Sequence, residues 1–141
     1  MRAYLAHPHA EREYGKKIQK LLEDSGYLVC NPFDREDQER LSLIAASNRP
    51  FTDDECENLV EGDLSNLSVC DVVVAIFKGS VQMVGTCMEV FYASNNLMMP
   101  VFSLYLWQNY GNGVVHPWVN YLTTVVHTEE DLIKEMASFY G

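Results

Sequence analysis

Val72-Val73-Val74-Ala75-Ile76-Phe77, followed by residues 78–84 and then Gly85-Thr86-Cys87-Met88-Glu89, is the stretch whose reading decides the fold. Six consecutive apolar residues, mostly β-branched, fit a strand buried on both faces, as in a parallel sheet. A polar loop and a helix follow, so a βα turn lies at the carboxyl end of that strand. Open α/β sheets build their ligand sites at such turns. Glu89, carried on the first turn of this expected helix, would face a bound ligand from a rigid support. A carboxylate so placed can act as a nucleophile. The same residues, Thr86-x-x-Glu89, also spell a capping box, in which the two side chains only close the helix end.

Working outward, strands and helices alternate along the whole chain. Residues 2–6 read as a short strand. Residues 9–25 carry Ala10, Tyr14, Ile18, Leu21 and Leu22 at helical spacing, and Gly26 stops the helix. Residues 27–30 form a second strand. Residues 31–50 are polar and irregular, bounded by Pro32 and Pro50, with a short helix expected at 37–46. A segment of that length without regular structure commonly serves function. Thr52 caps a helix rich in acids in its first turn, which runs to about residue 67. After the 72–77 strand come a helix at 86–97, a strand at 101–105, a brief helix near Val115, a strand at 123–126, and a closing helix capped by Thr128. Five such alternations specify a parallel sheet with right-handed crossovers and helices on both faces. The expected architecture is one α/β domain over residues 1–141, flavodoxin-like, with strand order 2-1-3-4-5. Its switch point lies between the first and third strands. There the end of strand one, the helix before strand three and the loop leading to Glu89 converge.

Composition narrows the function classes. The 141 residues are 48% hydrophobic and 21% charged, enough for a buried core. A net charge of -10 argues against a nucleic-acid partner, because phosphate backbones are bound by clustered Lys and Arg. One small phosphate at a helix end is not forbidden. Cys30, Cys56, Cys70 and Cys87 have no CxxC spacing, so reduced thiols and a cytoplasmic location are expected. The chain enters a strand directly, and no signal peptide is expected. No apolar run reaches the ~20 residues of a membrane helix.

Several other side chains are candidates for chemistry. Asp63, on the helix before strand three, would face the crevice if that helix packs beside the strand. A solvated helical Asp is the plainer reading. Tyr4 in the first strand would need a partner for a buried hydroxyl, and a carboxylate at the switch point would supply one. His7-Pro8-His9 ends that strand; one His would line the pocket, and without a third ligand no metal is expected. His116-Pro117-Trp118 offers an imidazole and a flat aromatic wall, or simply a helix start. Asp71 reads as a turn or cap residue.

Taken together, Tyr4-Leu5-Ala6, Asp63 with Leu64 and Leu67, Asp71-Val72-Val73-Val74-Ala75, Gly85-Thr86-x-x-Glu89 with Tyr92-Ala93, and Pro100-Val101 resemble the nucleoside 2-deoxyribosyltransferase family. The resemblance spans roughly residues 1–105 and lies in the ordered combination. It implies that Glu89 attacks C1′ of a deoxyribonucleoside, that Tyr4 orients this carboxylate, and that Asp63 holds sugar hydroxyls or assists the base. Beside these, His7, Gly85, Thr86, Ser80 and His116 are expected to bind substrate. The implied partners are a small-molecule deoxynucleoside or deoxynucleotide and a free nucleobase, with no cofactor. Met83 stands where family transferases often carry a second acid. Related nucleotide N-glycosidases keep the glutamate, bind a 5′-phosphate and pass the sugar to water; Ser80, Lys78 and His7 would form such a phosphate site here. A catalytically inert nucleotide sensor is the reading from another class. Trp107, Tyr110, Trp118 and Tyr121 form an aromatic cluster after strand four. Such clusters are rarely left bare, so a homo-oligomer is expected.

Overall fold

A computed structural model describes residues 1–35, 43–44, 47–78, 83–106 and 114–140. The short helix expected at 37–46 falls largely outside these, as do Ser80, Trp107 and Tyr110. In chain order the elements are β1 (Arg2–Ala6), α1 (Arg12–Asp24), β2 (Leu28–Cys30), α2 (Asp53–Ser68), β3 (Val72–Phe77), α3 (Val84–Phe91), β4 (Val101–Tyr105), α4 (Pro117–Leu122), β5 (Thr124–Val126) and α5 (Glu129–Tyr140). The five strands form one sheet in the order β2-β1-β3-β4-β5, every pair parallel. The expected topology is the observed one. The doubly wound order follows from β3 returning to the free side of β1, which leaves a crevice above the carboxyl ends of β1 and β3.

β3 is buried along its full length, as its unbroken apolar run requires. Alternate residues feed two cores. Ala3, Leu5, Val72, Val74 and Ile76 pack on one face with Ile18 and Leu22 of α1 and Leu132 and Met136 of α5. Tyr4, Ala6, Val73, Ala75 and Phe77 pack on the other with Leu67 of α2, Met83 and Val90. Period-two alternation thus sends Tyr4 to the α2–α3 face and leaves His7, in phase with Leu5, on the α1 face.

Helix ends match their local chemistry. Gly26, at φ 98°, closes α1, with Tyr27 N donating to Leu22 O. Thr52 and Glu55 form a complete capping box at α2. Arg49 clamps the Glu55 carboxylate through both its guanidinium nitrogens at 3.0 and 2.9 Å. Pro117 starts α4, and His116 caps it by accepting from Trp118 N. The start of α3 departs from expectation. It begins at Val84, with Met83 at the N-cap and no side-chain cap. Glu89 therefore lies in the second turn, and the Thr86/Glu89 capping box does not form. Buried Met83 anchors the helix start in the core instead, which winds it two residues early. α3 continues into one π turn over Tyr92–Asn96.

His7 explains a glycine in α1. Its buried ring lies between Phe33, at a centroid distance of 4.7 Å, and Gly15. A Cβ on Gly15 would sit 2.7 Å from His7 Nε2. Helix propensity favours Gly15→Ala by about 1 kcal/mol. Overpacking a ring that cannot retreat costs about 1–3 kcal/mol. Urea unfolding of Gly15→Ala should show a net loss of stability, and a gain would mean the ring is free to move.

Candidate active site

β1 and α3 meet through one hydrogen bond. The fully buried Tyr4 donates its hydroxyl to Glu89 Oε2 in a short contact. Tyr4 pairs in register with Val73 of β3 and Cys30 of β2, so its position is set by the middle of the sheet. Glu89 is partly buried on the flank of α3 that faces β1. Burial pushes its carboxyl up to about 7, and the charge of Asp63 adds to the rise while the Tyr4 hydroxyl opposes it. Burial likewise raises the Tyr4 phenol, aided by the charges of Glu89 and Asp63, so Tyr4 stays a donor.

Asp63, on α2, therefore lies close enough for its charge to reach both groups. It is not a solvated helical Asp. Arg35, in the turn after β2, holds it by an ion pair of 2.6 Å, and both side chains are largely buried, at 16% and 20% exposure. The Arg35 guanidinium also donates to the carbonyls of Leu59 and Asn58. Tyr4 and Glu89 thus meet from two elements, and Asp63 of α2, paired with Arg35, lies within reach of their charge.

Gly85 lies one turn before Glu89 on the same flank, and among the described residues a Cβ there would meet nothing within 4 Å. Thr86 is buried, and its hydroxyl has no hydrogen-bond partner among the described residues.

The remaining expected residues lie elsewhere. His7 sits on the opposite face of the sheet. Its Nε2 lies 3.1 Å from Asn31 Oδ1, its Nδ1 lies 3.2 Å from Pro8 O, and burial lowers its basicity. Lys78 turns to the same side, 3.9 Å from Glu11 and 4.5 Å from the Tyr14 ring centroid. The structure does not bring His7 and Lys78 to the Tyr4–Glu89 pair. His116 lines an apolar cavity of about 400 Å³ with Phe77, Cys87, Val90, Phe91 and Trp118. Cys87, Val90 and Phe91 occupy the flank of α3 away from Glu89, so α3 separates His116 from that carboxylate. Asp71 is a turn residue as expected, its carboxylate accepting from Arg2 N at 2.8 Å. Among the described residues no cluster of His, Cys, Asp or Glu could hold a metal ion, and no helix could cross a membrane. All four cysteines are free.

Sequence reasoning missed Arg35. It sits in the irregular 31–50 segment, 28 residues from its partner. The one signal was Gly62, a glycine in the interior of α2, which marks a close approach by another group.

No family model matches the chain, and no curated protein matches it. Solved structures share its fold. A 2-deoxyribosyltransferase from Bacillus psychrosaccharolyticus superposes with a TM-score of 0.69 at 16% identity, over 94% of this chain and 90% of that one. A conserved protein from Enterococcus faecalis V583 gives 0.66 at 18%, over 98% of both chains. A CMP N-glycosidase from Clostridium botulinum gives 0.57 at 18%, over 99% of both.

The Glu89 carboxyl has a consequence for stability. It titrates near 4.5 when unperturbed and near 7 in the fold. The folded state keeps a proton that the unfolded chain has released, so this contribution is full below pH 4.5 and lost as pH rises through 7. Glutamine resembles the protonated form and keeps an acceptor for Tyr4. Glu89→Gln should therefore be more stable than the parent at pH 8, by about 1–3 kcal/mol. The advantage should vanish near pH 4. Denaturation at the two pH values checks this; equal stability at pH 8 would mean Glu89 is not held in a costly environment.

Proposed function

We propose that this chain cleaves the N-glycosidic bond of a 2′-deoxyribonucleoside and passes the deoxyribose to another nucleobase through a glutamyl ester at Glu89. The observation that carries the reading is the Tyr4–Glu89 pair at the β1/β3 switch point, which the charge of Asp63 reaches. Tyr4 holds Oε2, and among the described residues Oε1 accepts no hydrogen bond. Oε1 is then the atom for C1′. As the bond from C1′ to the base nitrogen breaks, its electron pair leaves with the base, which takes up a proton. The C1′–Oε1 bond forms, and charge building at C1′ is met by the carboxylate below the ring, as in retaining glycosidases. A nitrogen of the second base then attacks C1′, loses the proton it carried, which matches the one the first base took up, and the C1′–Oε1 electron pair returns to Glu89. Asp63 suits contact with the sugar hydroxyls. The shared fold with a 2-deoxyribosyltransferase supports this reading.

A second reading is hydrolysis of a nucleoside 5′-monophosphate. The CMP N-glycosidase that spans 99% of both chains favours it. Against it, His7 and Lys78 are engaged on the other face of the sheet. Incubation with a deoxynucleoside and a second free base, or with a 5′-monophosphate alone, followed by chromatography, separates the two. An exchanged nucleoside supports transfer; free sugar phosphate supports hydrolysis; binding without turnover would leave only a nucleotide sensor.

Glu89→Gln should cut turnover about a thousand-fold or more, because the nucleophile is lost. Tyr4→Phe should slow it about ten-fold, the value of one hydrogen bond of about 1.4 kcal/mol. In the parent, kcat/KM should rise with pH to a plateau with a midpoint near 7, as Glu89 ionises. Turnover by Glu89→Gln within ten-fold of the parent would remove Glu89 as nucleophile.

The chain should also form a homo-oligomer. Met88 on α3 and Trp118 and Tyr121 on α4 are 67%, 64% and 89% exposed, and Phe91 adjoins Trp118 at 6.1 Å between rings. Covering that apolar face against another copy would remove it from water. Light scattering at micromolar concentration should give a multiple of the chain mass, and Met88→Asp should reduce it. A monomeric parent would refute the expectation.

A further inference from the structure

We propose that Arg35 is a positioning residue, which fixes and partly neutralises Asp63 and thereby sets how much negative charge reaches Glu89. The inference rests on the reading of Glu89 as the reactive carboxylate.

Arg35 is fixed on several sides. Its Nη1 meets Asp63 Oδ1 at 2.6 Å and Leu59 O at 3.3 Å, and its Nη2 meets Asn58 O at 3.4 Å. The guanidinium therefore lies along α2 with its side chain only 16% exposed. The seat for it is Gly62. A Cβ built there would fall 2.6 Å from Arg35 Cζ. Glycine in a helix interior costs about 1 kcal/mol relative to alanine. Here that position is shaped to admit a cation next to Asp63.

Two carboxylates in one site oppose each other's ionisation. Asp63 raises the proton affinity of Glu89, and a nucleophile must shed that proton. A guanidinium on Asp63 limits the repulsion while keeping Asp63 charged and oriented. Among the described residues, the groups acting on Glu89 are Tyr4 from β1 and Asp63 from α2. Cys30 of β2 feels Asp63, and its thiol is lowered, chiefly by Cys70. α3 carries no second charged residue. Arg35 thus acts through Asp63 rather than on Glu89 directly.

The test follows the carboxyl ¹³C shift of Glu89, assigned by its loss in Glu89→Gln, as a function of pH. It needs no substrate, so it reports on Arg35 even if the chain turns over no nucleoside. Arg35→Met should raise the Glu89 midpoint by about half a pH unit or more. Asp63→Asn should lower it. In an Asp63→Asn background, Arg35→Met should have less than half its effect in the parent. Gly62→Ala offers an independent route, because the new methyl displaces the flexible guanidinium while favouring the helix. It should raise the midpoint as Arg35→Met does, and it decides the matter if Arg35→Met does not fold. A merely structural arginine would change stability and leave the titration in place. An unmoved midpoint in Gly62→Ala or folded Arg35→Met, or a full-sized Arg35→Met effect without the Asp63 carboxylate, would overturn the proposal.

Discussion

The hydroxyl of Tyr4, donated to the carboxylate of Glu89, ties the centre of the sheet to the helix that follows β3. Everything else at the crevice is arranged around that bond. A buried carboxylate is costly, and its usual response is to take up a proton. One neutral donor opposes that response without cancelling the charge. The result is a carboxyl near 7, able to exist in both states in ordinary buffers. A cation in the place of Tyr4 would hold the group ionised but quench its reactivity. An apolar residue there would leave it protonated. Tyr4 can play this part because β1 lies between β2 and β3, where register pins it from both sides.

The sheet was legible because its signals are periodic. The run 72–77 can be little other than a buried strand, and alternating helices leave few topologies for it. The Tyr4–Glu89 meeting was also legible, since both residues border the switch point. The helix start was not. Thr86-x-x-Glu89 has the local form of a capping box, but Met83 finds a core position and the helix begins at Val84. Packing overrode local capping, and the glutamate was freed for Tyr4. His7 was misplaced for a related reason. Its place at the end of strand one suggested the pocket, yet it lies three residues from Tyr4, an odd number along a strand, and the pleat turns it to the other face. Arg35 was hidden because an ion pair across 28 residues leaves no periodic trace.

Two helical glycines show how a packed interior records such contacts. Gly15 admits the ring of His7, and Gly62 admits the guanidinium of Arg35. Both cost helix propensity. The ring of His7 is held by Asn31 and Phe33, so a methyl at Gly15 has nowhere to push it. The Arg35 head sits at the end of a long flexible chain and can swing away. The same substitution is thus expected to act on stability at one site and on electrostatics at the other.

The central claim is that Glu89 forms a bond to the sugar. Intact-mass spectrometry after incubation with a 2′-fluoro-2′-deoxynucleoside tests it most directly, because the fluorine slows both the formation and the loss of a glycosyl ester. The account predicts a mass increase of one fluorodeoxyribosyl group, mapped by peptide digestion to Glu89 and absent in Glu89→Gln. Consumption of the nucleoside with no adduct and an inverted sugar product would contradict it.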